Sequence, residues 1–121
     1  MGKYVDGFLI PIRPENIERY TDIARKAGEI WKEHGALEYF ECAGDDLEHE
    51  KMVSFKKSAG AGDDETVIFS WIVFESKAER DRINALVMAD ERLKEMMKSS
   101  DDEPFDFKRM AYGGFTTLVE L

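Results

Sequence analysis

The sequence predicts an α+β domain of ferredoxin-like, split βαβ topology: strand, helix, strand, strand, helix, strand (βαββαβ). Three observations predict it. Apolar or periodic segments follow one another in that order along a chain of 121 residues. The run Val67–Phe74 is apolar on both alternating faces, Val67, Phe69, Trp71 and Val73 on one and Ile68, Ile72 and Phe74 on the other, with only Ser70 interrupting. The two helical segments suffice to cover one face of an antiparallel sheet, so the second greasy face calls for another cover. A second copy of the chain, sheet against sheet, supplies it and makes a dimeric α/β barrel.

Strand one is read from Tyr4 to Ile12, rich in aromatic and branched residues and ended by Pro11 and Pro14. Pro14 suits the first position of a helix, with Glu15 and Glu18 near its positive end. Ile17, Tyr20, Ala24, Ala27, Trp31 and His34 then recur at helical spacing, widened by Ile23 and Ile30, until Gly35 stops the helix. Ala36 to Ala43 reads as strand two. The polar stretch 45–64 follows, within which Met52–Phe55 is expected to form a short strand extension or turn. Val67–Phe74 is strand three. Ser76-Lys77-Ala78-Glu79 is a capping box opening helix two, with Ile83, Leu86, Val87 and Leu93 on its buried face. Leu93–Met97 continues that helix or begins another. Strand four is expected from Lys108 to Val119, with a bulge or bend at Gly113-Gly114. Residues 1–121 make a single domain, with strands one and three at the sheet centre and both helices on one face.

Composition excludes several function classes. A formal net charge of −9 and a pI near 4.7 argue against nucleic acid and anionic membranes, since basic residues come at most in pairs such as Lys56-Lys57 and Lys108-Arg109. No apolar run is long enough to span a bilayer, and the residues after Met1 lack the apolar core of a signal peptide. Cys42 is the single cysteine, so no internal disulfide forms, and a cytoplasmic address is expected.

Asp45, Asp46, Glu48, His49 and Glu50 form an acidic loop, read as solvated, and no metal or cofactor is expected. Cys42 lacks an activating neighbour and is expected to be a buried, inert thiol. No Ser-His-Asp spacing, phosphate loop or nucleophile elbow appears. Polar residues in apolar strands are the more informative set: Asp6 in strand one, Glu38 in strand two, Ser70 in strand three and Arg109 in strand four. Charges inside a barrel must pair or meet a ligand, and the expected pair is Asp6 with Arg109. Trp71 is expected at a pocket wall or the dimer interface, Trp31 in the core, and Arg80, Asp81 and Asn84 on the wet face of helix two.

Six short segments carry a resemblance over nearly the whole chain. Asp6-Gly7-Phe8, Gly35-Ala36-Leu37-Glu38-Tyr39, Gly44-Asp45-Asp46, Phe69-Ser70-Trp71, Lys108-Arg109-Met110 and Tyr112-Gly113-Gly114-Phe115 resemble the YbaA-like family, small bacterial proteins of unknown function. The resemblance implies a dimeric α/β barrel and no established activity. Its wider superfamily includes cofactor-free monooxygenases, haem-degrading enzymes and small-ligand binders. The expectation is a cytoplasmic homodimer binding a small organic molecule between sheet and helices, at Asp6, Glu38, Ser70, Trp71 and Arg109. The alternatives are a cofactor-independent oxygenase-like or isomerase-like enzyme, and a purely structural or partner-binding dimer module.

Overall fold

The structure, a computed structural model, describes residues 2–98 and 103–121. Strand β1 (Tyr4–Ile12) leads through a 3-10 turn, Pro14–Asn16, into α1 (Ile17–His34). Then come β2 (Glu38–Ala43), α2 (Phe55–Ala59), β3 (Thr66–Phe74), α3 (Lys77–Ala89), α4 (Glu91–Lys98) and β4 (Ala111–Thr116). The strands form one antiparallel sheet in the order β2-β3-β1-β4, which puts the two most apolar strands in the middle.

Local chemistry sets the helix ends. Pro14 starts the entry turn with its fixed φ. Gly35 closes α1 at φ 122°, a value that L side chains resist, while the N–H groups of Gly35 and Ala36 return to the carbonyls of Lys32 and Trp31. Ser76 Oγ accepts the Glu79 N–H at 3.1 Å, the predicted cap of α3.

Strand alternation sorts the side chains. Tyr4, Asp6, Phe8, Ile10 and Ile12 share a face with Ile68, Ser70, Ile72 and Phe74, and this face packs under α1 and α3. Two apolar clusters form there. One gathers Ile30, Ala36, Phe74, Ile83, Val87 and Leu93 around Ile72; the other joins Ile10, Ile12, Tyr20, Ala24 and Ile68. The opposite face carries an aromatic ridge. Phe40 stacks on Trp71 at 4.9 Å and 9°, Phe69 lies 5.4 Å from Trp71, and Phe40, Phe69 and Phe115 are exposed.

Several expectations are corrected. The stretch expected to extend a strand at Met52–Phe55 instead opens α2, because Ser54 Oγ accepts the Lys56 N–H and Gly60, at φ 68°, closes the turn. Helix α2 packs at one end of the aromatic face, Phe55 lying 5.7 Å from Phe69. Strand β2 begins at Glu38 rather than Ala36, and β4 at Ala111 rather than Lys108, since Asp106 caps a 3-10 turn at Phe107–Arg109. Gly113 and Gly114 pair in regular register with Gly7 and Asp6, with no bulge. The glycine at 114 serves packing instead: a Cβ there would collide with the Tyr4 ring. Leu86 is exposed, so the apolar contacts of α3 rest on Ile83 and Val87.

Gly28, in the middle of α1, has a similar purpose. A Cβ there would stand 2.6 Å from two carbons of the Tyr39 ring. Gly28→Ala gains up to about 1 kcal/mol of helix propensity but forces that ring aside, an overpacking cost of ~1–3 kcal/mol. A net loss of stability is expected in urea denaturation, and a stabilised variant would show that the ring moves freely.

Candidate functional site

A cavity of about 730 Å³ opens between the helix-side face of the sheet, α1, the α3–α4 pair and the segment 103–110. Helix α1 shapes it by alternating size. Tyr20 and Trp31 make walls, while Ala24 and Ala27 between them leave the space open. Met88, Met96, Met97 and Met110 complete the lining with side chains that adapt to irregular shapes.

Two polar clusters and one lone hydroxyl interrupt this apolar surface. The first centres on Asp6, 1% exposed. Arg80 Nη1 donates to Asp6 Oδ1 at 2.9 Å and to Tyr112 Oη at 2.8 Å. Tyr112 Oη and Asn84 Nδ2 donate to Asp6 Oδ2 at 3.2 and 3.3 Å, and Trp31 Nε1 donates to Asn84 Oδ1 at 2.9 Å. The guanidinium also lies 4.8 Å over the Tyr4 ring. Burial and then the Asp6 charge push the Tyr112 phenol up, so it stays a donor.

The second cluster centres on Glu41. Tyr20 Oη donates to Oε1 at 2.7 Å and Tyr39 Oη to Oε2 at 2.6 Å. Burial, then the Glu41 charge, raises both phenols well above the ordinary tyrosine range. No cation among the described residues pairs with this carboxylate. Glu41 sits opposite Ser70 in the β2–β3 register. Ser70, 3% exposed, lines the cavity and its hydroxyl has no hydrogen-bond partner among the described residues, its oxygen remaining open to the cavity.

Of the five residues predicted for the site, Asp6 and Ser70 meet at the cavity. Glu38 and Trp71 do not, because their register positions put them on the opposite sheet face, Glu38 exposed and Trp71 half-buried. Arg109 does not pair with Asp6. Asp6 faces Gly114 on β4, and a residue five positions further back lies about 17 Å along an antiparallel strand. Arg109 instead holds Glu65 with two bonds of 2.7 and 2.9 Å and the Gly60 carbonyl at 2.7 Å. Arg80 and Asn84, expected on the wet face, supply the partners of Asp6; Asp81 is exposed as expected. The signal was present, since positions 80, 83, 84 and 87 share one helical face with buried Ile83 and Val87. Trp31 packs against the core cluster and also lines the cavity. Cys42 is exposed, a correction that follows from its place on the edge strand β2. Among the described residues no group of three or more His, Cys, Asp or Glu is arranged to hold a metal ion, and no helix is long and apolar enough to cross a membrane.

Two measurements follow. Asp6→Asn leaves Arg80, whose side chain is 14% exposed, without its buried charge partner, at the lower end of the ~3–5 kcal/mol typical of a broken buried pair. Asp81→Asn removes an exposed partner of the same guanidinium and is expected to cost under about 1 kcal/mol. Equal losses in urea denaturation would refute the assignment. The Glu65 carboxyl is held down at about 2, first by its bonds to Arg109 and then by the Gly62 N–H. Its contribution is present above the ordinary 4.5 and disappears as pH falls toward 2. Arg109→Ala should flatten stability over that window, and an unchanged acid limb would show that the pair adds nothing.

Comparison with known proteins fits this architecture. The chain is 41% identical over 118 residues to the uncharacterized protein YbaA of Escherichia coli strain K12, covering 98% of each chain, and YbaA of Shigella flexneri matches with the same identity and coverage. A solved nipsnap family protein of unknown function from Agrobacterium tumefaciens superposes with a TM-score of 0.58 at 17% identity, over 96% of this chain and 88% of that one, a likeness of fold. Residues 3–107 match the family model described as protein of unknown function, DUF1428. By this match and by its identity to YbaA, the chain belongs to the DUF1428 family of uncharacterised proteins.

Proposed function

We propose that the protein binds a small organic molecule in the cavity between sheet and helices, and that it does so as a homodimer. The observation that carries the first part is a cavity of about 730 Å³, mostly apolar, with the unpartnered Ser70 hydroxyl opening onto it. Small-molecule sites are commonly of this size and composition, with a few convergent polar groups fixing orientation. The Ser70 hydroxyl is open to the cavity and can donate to or accept from a ligand's polar group.

The dimer rests on the other face of the sheet. The strand order is that of a ferredoxin-like split βαβ domain, and Phe40, Phe69, Trp71 and Phe115 form an aromatic surface there that α2 covers only at one end. Burial of such surface is worth about 25 cal/mol per Å², and a second copy placed face to face closes a dimeric α/β barrel. A cytoplasmic setting suits an exposed, unpaired Cys42.

Native mass spectrometry of protein purified directly from cells tests both parts. The expected spectrum is a dimer carrying a small-molecule adduct that is released on denaturation. Light scattering should give a dimer for the wild type and monomers or aggregates for Trp71→Glu. A monomer at micromolar concentration would defeat the dimer, and a cavity that retains nothing and takes up no compound would defeat the binding reading.

A further inference from the structure

The floor of the cavity carries a charge imbalance. The Asp6 carboxylate is matched by Arg80, whereas Glu41 receives only the two neutral phenols of Tyr20 and Tyr39. A carboxylate offers about four lone-pair sites, so two bonds leave acceptor capacity unused. The nearest polar neighbour across the strands is the Ser70 hydroxyl, 3% exposed and without a partner, so Glu41 and Ser70 present acceptors side by side at one spot. Aromatic walls surround it: Tyr20, Tyr39 and Phe105 all line this cavity. Arg19 and Glu103 also line it, but both are exposed and of opposite sign, so the buried floor sets the preference.

A partly buried carboxylate without a counter-charge, beside aromatic faces, matches a cation that brings its own apolar body. Such a cation gains a charge-assisted hydrogen bond and attraction to the ring faces. An anion meets repulsion from Glu41 and from a chain of net charge −9. We infer that the cavity selects small organic amines in their protonated form, the ammonium placed on Glu41 and Ser70 and the apolar body against the aromatic and methionine walls. This assignment rests on the binding reading given above and narrows it to one ligand class.

Three probes of equal shape test it by calorimetry on the intact wild-type protein near neutral pH: 2-naphthylmethylamine, 2-naphthalenemethanol and 2-naphthoate. The amine is expected to bind at least about tenfold more tightly than the alcohol, with the naphthoate weakest, the margin that one charge-assisted bond supplies. Glu41→Gln should remove that margin while leaving alcohol binding within about twofold, and Ser70→Ala should weaken the amine several-fold as an independent variant. An alcohol or naphthoate that binds as well as the amine would overturn the charge assignment and leave the cavity reading standing. Failure of all three to bind at millimolar concentration would overturn both. An amine preference that survives Glu41→Gln in a folded protein would place the ammonium elsewhere and refute the inference.

Discussion

The carboxylate of Asp6 lies near the start of a central strand, almost wholly withdrawn from water, where a charge costs several kcal/mol unless it is paired. Its partners come from three directions: Arg80 and Asn84 from α3, Tyr112 from β4, and Trp31 of α1 through Asn84. Satisfying one buried acid therefore fixes the height and rotation of α3 over the sheet and ties α1 to the same point. The position of the cavity follows, because its roof is made by the helices that this network locates. Arg80 is suited to the task, since a planar guanidinium can bond Asp6 and Tyr112 and still lie over the Tyr4 ring.

Much of the fold was legible in the residues. The two apolar faces of Val67–Phe74 foretold a central strand with a second surface to cover, and Pro14, Gly35 and Ser76 marked helix boundaries by local chemistry that needs no tertiary help. The site was legible only in part. Asp6 and Ser70 stood out because polar residues in apolar strands demand an explanation. Glu41 did not, since choosing it over Glu38 requires the register that pairs it with Ser70, and register is a property of two strands rather than one. Arg109 misled for a related reason. The strand-like stretch around it extends past the sheet, and the Asp106 cap that bends it into a turn resembles any acidic surface residue in sequence. Arg80 and Asn84 were assigned to solvent from their polarity, although their helical phase matched Ile83 and Val87.

The doubly apolar strand β3 divides the molecule into two different surfaces. Its even-numbered Ile68, Ile72 and Phe74 are buried beneath helices, and the equally buried Ser70 opens on the cavity. Its odd-numbered Phe69 and Trp71 feed the aromatic ridge, where the flat Phe40–Trp71 stack and the exposed Phe69 present large apolar area. Substitutions in one strand thus reach two unlike environments by simple parity, and neighbours in sequence such as Ser70 and Trp71 affect separate properties.

The two apolar clusters on the helix side have a thermodynamic consequence. The cavity takes lining residues from both, Ile72 and Leu93 from one and Ile10, Tyr20 and Ala24 from the other, and lies between them. Empty, it lies between two small cores joined through α1 and the central strands. Filled by an apolar body, it makes them one continuous interior. Occupancy would raise the midpoint of unfolding and, through the added buried surface, steepen the dependence of stability on temperature.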